Sequence, residues 1–163
     1  MVSVSYRSNS KHCVGESNYH LQFTPKYRRD IFRDEVLKNA CLVSFRGIAA
    51  RHGVRLLAVE FGPEHVHLFM GNCRRYSVSQ LAQYFKGASS RELRRDHWDR
   101  VRKKEWGRAL WSAGYFYESI GRVTSETIEY YIERQQGKHW SERDYDAHMH
   151  LKRGQTKLRD FSN

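Results

Sequence analysis

The sequence has only two prolines and three cysteines in 163 residues. So little proline excludes a Pro-rich linker and a collagen-like chain. The cysteines, Cys13, Cys41 and Cys73, are isolated and odd in number. They form neither a disulfide framework nor a CxxC zinc pattern, which fits a reducing cytoplasm. No apolar run approaches the roughly 20 residues that span a bilayer, so no membrane association is expected. The opening MVSVSYRSNSKHC lacks the apolar stretch of an export signal. Acidic residues are the other shortage, at 18 against 29 Lys and Arg, a formal charge of +11. That excess points to a polyanionic partner, nucleic acid before an anionic membrane. Hydrophobic residues at 39% and aromatics at 13% are enough for a packed core. The length suits one domain.

Periodicity divides the chain into seven elements. Tyr19 to Phe23 alternates as a strand ended by Thr24 and Pro25, and Ile31 to His52 has helical spacing with Gly53 as its stop. Val54 to Phe61 and His65 to Met70 read as a hairpin turning at Gly62 and Pro63. Ser77 is a candidate N-cap for a helix carrying Val78, Leu81, Tyr84 and Phe85. Tyr115 to Ile120 reads as a strand, and Thr124 or Ser125 can cap a last helix reaching about Gln136. The first six elements have the β-α-β-β-α-β order of a ferredoxin-like antiparallel sheet, an α+β fold, with the C-terminal helix added. Residues 1–15 are expected to be a flexible N-terminus, 16–140 the domain, and 141–163 a polar tail.

Three features can carry chemistry. In His65-Val66-His67, strand alternation sends both imidazoles to one face about 7 Å apart along the strand. Two such imidazoles are half of a divalent-metal site, or two histidines satisfied by the fold. Tyr131 and Gln135 lie four apart on the last helix and share a face. A phenolic oxygen can be a nucleophile and an amide oxygen a hard-cation ligand; equally, the tyrosine can serve helix packing. The third feature is residues 74–108, which hold eleven Lys or Arg and four Asp or Glu, a net +7, with Tyr76, Tyr84, Phe85, Trp98 and Trp106 interleaved. Arg74, Arg75, Lys86, Arg91, Arg94 and Arg95 are the candidate phosphate contacts, and Arg28 and Arg29 beside Tyr27 add to them. One chemistry uses all three features: cleavage of a nucleic-acid strand by a tyrosine while a metal polarises the scissile phosphate.

The chain resembles the single-tyrosine transposases of the HUH endonuclease superfamily, the TnpA type of the smallest bacterial and archaeal insertion sequences. Four ordered segments carry the resemblance: Tyr19-His-Leu-Gln-Phe-Thr-Pro-Lys-Tyr-Arg-Arg, Glu60-Phe-Gly-Pro-Glu-His-Val-His-Leu-Phe, Leu110-Trp-Ser-Ala-Gly-Tyr-Phe and Thr127-Ile-Glu-Tyr-Tyr-Ile-Glu-Arg-Gln. The resemblance implies that His65 and His67 are the HUH pair, Gln135 the third ligand of Mg²⁺ or Mn²⁺, and Tyr131 the nucleophile. Tyr130 is the neighbouring alternative, but four residues beyond it stands Arg134, which cannot ligate a cation. The implied activity is cleavage and rejoining of single-stranded DNA at insertion-sequence ends through a 5′-phosphotyrosine. DNA hairpins would be recognised, and a homodimer would build composite active sites. The rivals are a related monomeric HUH tyrosine nuclease acting on repeated palindromic DNA, a non-catalytic nucleic-acid-binding ferredoxin-like protein, and a zinc hydrolase using Glu64.

Overall fold

Leu21 and Phe23 alternate with His20 and Gln22 along one strand, and this alternation gives the central sheet two chemically different faces. The computed structural model describes residues 8–10, 12–104, 107–121 and 128. Two short antiparallel strands, β1 (Ser8–Ser10) and β2 (Cys13–Gly15), pair within the stretch expected to be loose. Next come β3 (Asn18–Phe23), α1 (Glu35–His52), β4 (Arg55–Gly62), β5 (His65–Gly71), α2 (Val78–Asp96), α3 (Trp98–Lys104) and β6 (Phe116–Ile120). The four longer strands form a sheet of order β4-β5-β3-β6 with every neighbouring pair antiparallel. With α1 and α2 this is the ferredoxin-like arrangement expected. The expected helix from about residue 125 to 136, with Tyr131 and Gln135, lies outside the described residues, save that Ile128 is helical and buried.

Local chemistry fixes where the helices begin and end. The helix expected from Ile31 starts instead at Glu35, because the Asp34 side chain accepts from the backbone N–H groups of Val36 (3.0 Å) and Leu37 (3.4 Å). Residues 31–33 form a single 3₁₀ turn before this cap. Gly53 ends α1 in the left-handed conformation at φ 64°, which a side chain would disfavour. At the start of α2, Ser77 and Gln80 cap each other's backbone N–H groups reciprocally. In β4 the pairing with β5 slips between Leu56 and Ala58, a bulge at Leu57. Beyond the bulge Val59 and Phe61 pack against the core, while Glu60 lies opposite His67.

α1 and α2 share one core with Leu21, Phe23, Val66, Leu68 and Met70 of the sheet. Phe45 is its aromatic hub, with ring centroids 5.7 Å from Phe85, 6.3 Å from Trp111, 6.4 Å from Phe23 and 6.5 Å from Phe61. Trp111 donates from Nε1 to the Ser89 hydroxyl (3.0 Å), which itself donates to the Phe85 carbonyl. This anchors the approach to β6, held further by bonds from Lys26 N–H to the Leu110 carbonyl and from Ser112 N–H to that of Thr24. Cys41 and Cys73 are buried and unbridged, and burial raises both thiols, Cys73 to about 12, so they act as small apolar side chains. Among the described residues no helix is long and apolar enough to cross a membrane. Phe45→Ala should cost about 3–5 kcal/mol. Urea unfolding should show a lower midpoint with an unchanged slope.

Candidate active site on the sheet face opposite the helices

β5 lies between β4 and β3, and its alternation decides the site. Val66, Leu68 and Met70 enter the core shared with the helices, so His65, His67 and Phe69 belong to the other face. The His65 and His67 rings lie 4.9 Å apart between centroids, almost perpendicular at 76°. In register, His67 is flanked by Glu60 of β4 and Gln22 of β3. The expected imidazole pair is therefore brought together on one face.

His65 has an unusual seat. A Cβ added to Gly62, its register partner across the turn, would come within 2.2 Å of His65 Cε1 and 2.6 Å of Nε2. Only glycine leaves room for the ring to lie there. His67 is held differently. Its Nδ1 shares a buried 2.9 Å hydrogen bond with Nε2 of His20 on β3. The His20 ring stacks on Phe69 at 4.4 Å and 6°, and meets the edge of Phe116 at 5.5 Å.

Both inner imidazoles are neutral. Burial pushes His67 down to about 2, helped by the neighbouring His20 and His65. Burial likewise lowers His20 to about 4, partly opposed by the Glu118 carboxylate opposite it on β6. A neutral imidazole that donates a hydrogen bond from one nitrogen keeps a metal-ligating lone pair on the other. The donor set fits a divalent cation: two imidazoles on one face, one seated on a glycine and one hydrogen-bonded through Nδ1. Among the described residues, no group of three His, Cys, Asp or Glu could hold a metal ion. Gln135, expected as third ligand, and Tyr131 lie outside those residues.

His20 is the residue that sequence reasoning missed. It sits in the quoted Tyr19-His-Leu segment, and alternation sets it apart from Leu21 and Phe23. Only the β3–β5 register brings it diagonally to His67.

The expected basic contacts are spread over the fold, and among the described residues Arg28 is the one with a contact at the start of β5. Arg28 binds Glu64, in the turn before His65, with Nη2 at 2.6 Å and Nε at 3.2 Å. Arg29 donates to the Lys104 carbonyl (2.8 Å), and Lys104 and Arg100 reach Asp30 and Asp34. Arg94 donates to the Gly107 carbonyl and lies over the Trp98 ring, and Arg95 pairs with Asp96. Arg91 is exposed on α2, while the exposed Arg74 and Arg75 follow the far end of β5, about 20 Å along the strand from His65. Lys86 has a second task inside the fold: its ammonium donates to the carbonyls of Ser112, Ala113 and Gly114 at 2.6, 3.0 and 3.2 Å.

Comparison with known proteins decides the family. A family described as "Transposase IS200 like" matches residues 13–135. The chain belongs to the IS200-like transposases. It is 30% identical to the ISDra2 transposase TnpA of Deinococcus radiodurans over 125 residues, 77% of this chain and 88% of that protein. It is 32% identical over 124 residues to the transposase for insertion sequence element IS200 of Salmonella typhimurium, 76% of this chain and 80% of that one. A Deinococcus radiodurans R1 crystal structure described as a transposase matches with TM-score 0.62 at 30% identity, over 78% of this chain and 97% of that chain. The histidine pair thus belongs to a transposase, an enzyme of DNA rearrangement. Gly62→Ala should shift the His65 imidazole resonances in NMR spectra while far-UV circular dichroism stays unchanged; unmoved His65 signals would contradict the seat.

Proposed function

We propose that this transposase cleaves and rejoins single-stranded DNA at the ends of its insertion sequence through a 5′-phosphotyrosine on Tyr131. The observation that carries the reading is the His65–His67 pair, its rings 4.9 Å apart on one sheet face and His67 buried, in a chain of this family. His65 and His67, with Gln135, would hold Mg²⁺ or Mn²⁺, and imidazole donors lean toward Mn²⁺. Bound there, the cation would neutralise charge on a non-bridging phosphate oxygen.

The Tyr131 phenol oxygen forms a bond to phosphorus and gives up its proton to solvent. The bond from phosphorus to the 3′ oxygen breaks in line, and that oxygen leaves as a 3′-hydroxyl. Because the phosphodiester is exchanged and not hydrolysed, the 3′-hydroxyl of another strand can reverse the step without ATP. Arg28, beside the turn that precedes His65, would hold the DNA backbone together with Arg29, Arg74, Arg75, Lys86, Arg91, Arg94 and Arg95. Hairpins near the element ends would be bound by this surface.

A homodimer with composite sites is the assembly that fits this reading. Among the described residues β6 is an edge strand of the sheet, and its Tyr117 is 54% exposed. Such an edge is ready to pair with a second copy. A cytoplasmic enzyme is the corresponding location.

The test is labelled single-stranded element-end DNA with Mn²⁺, read on a denaturing gel. Tyr131→Phe should keep hairpin binding and lose the covalent adduct entirely; undiminished cleavage by that variant would refute the nucleophile. His67→Ala should lose cleavage by at least about a hundredfold with its circular dichroism unchanged. Full activity in that variant with chelator present would remove the cation from the mechanism. Sedimentation should show a dimer, whereas a cleaving monomer favours the palindrome-processing nuclease.

A further inference from the structure

Two neutral imidazoles that share one hydrogen bond can place its proton in only two ways. If His20 donates from Nε2, His67 carries its own proton on Nε2 and has no lone pair there. If His67 donates from Nδ1, its Nε2 lone pair is available and His20 carries its proton on Nδ1. Only the second arrangement lets His67 bind a cation through Nε2.

We propose that His20 is a positioning residue for the cation site: its Nε2 accepts the Nδ1 proton of His67, fixing the tautomer and ring plane in which His67 Nε2 is a ligand. This rests on the reading of His65 and His67 as cation ligands. Three observations carry it. The Nε2 to Nδ1 separation is 2.9 Å, with both side chains buried, His20 at 1% and His67 at 3% exposure. The His20 ring is clamped flat on Phe69 and edge-on to Phe116, so the acceptor cannot swing away. The second nitrogen, His20 Nδ1, has no hydrogen-bond partner among the described residues. The side-chain hydrogen bond that His20 makes among those residues is thus the one to His67.

Outer partners of ligating histidines commonly account for 10- to 100-fold in metal affinity. His20→Phe keeps the stacking ring and removes the acceptor, while His20→Gln offers an amide oxygen in its place. With the full-length protein, Mn²⁺ titration followed by electron paramagnetic resonance should show a 10- to 100-fold weaker site in His20→Phe and partial recovery in His20→Gln. Long-range ¹H–¹⁵N spectra of the metal-free wild type should show His67 protonated at Nδ1. Wild-type Mn²⁺ affinity in a folded His20→Phe, or a His67 protonated at Nε2, overturns the proposal. Should His20→Phe fail to fold, the wild-type tautomer alone decides. His67→Ala separates the two levels. If it binds Mn²⁺ as the wild type does, the ligand reading itself falls; if it loses binding and His20→Phe does not, only the role of His20 falls.

Discussion

β5 has to satisfy two faces at once, and the rest of the molecule follows from that. As an inner strand it places Val66, Leu68 and Met70 in the core that α1 and α2 cover, and it carries His65 and His67 on the reverse. A buried imidazole is tolerated only with a partner. The partner must come from the adjacent strand, and the β3–β5 register supplies His20. A slip of one residue in β5 would exchange the faces, putting imidazoles in the core and Leu68 on the site. The core packing that defines the register therefore also defines the site.

The glycine at 62 and the bulge at Leu57 act on the same strand pair from opposite ends. The bulge resets the parity of β4, so that Val59 and Phe61 face the core and Glu60 and Gly62 share the face of the histidines. Gly62 then leaves the space that the His65 ring occupies. Both are local irregularities of a strand that is otherwise an ordinary edge. Their combined effect is to bring a ring close to the backbone without displacing the hairpin.

Much of this was legible in the sequence because it depends on alternation and punctuation. The four longer strands, α1 and α2, the Ser77 cap and the facing of His65 and His67 all follow from period, Gly, Pro and capping residues. What was not legible depends on register and on atoms distant in sequence. His20 looks like any polar residue on an alternating strand until it lies beside β5. Lys86 reads as one more cation of a basic helix, yet its ammonium reaches carbonyls 26 to 28 residues away. Asp34 sits inside an apparently continuous helical pattern, and its cap splits that pattern in two. The short β1–β2 pair has too few apolar residues to signal itself.

The loop after β3 shows how the positive charge is brought to the histidines. Tyr27 and Arg28 both have left-handed backbones, at φ 61° and 51°, although neither is glycine. Such conformations cost of order 1 kcal/mol or more each and persist only where neighbours impose them. Here Arg28 N–H bonds the Pro25 carbonyl, Lys26 N–H bonds Leu110, and Lys26 and Arg29 flank the exposed Tyr27 ring. The result aims Arg28 at Glu64, one residue before His65. That ion pair is half exposed, and exposed pairs contribute only about 0–1 kcal/mol. The pair therefore adds little to stability, and the loop keeps the Arg28 guanidinium, half exposed, beside the turn of the β4–β5 hairpin. A buried pair would hold the arginine in the same place but take its charge away from the surface.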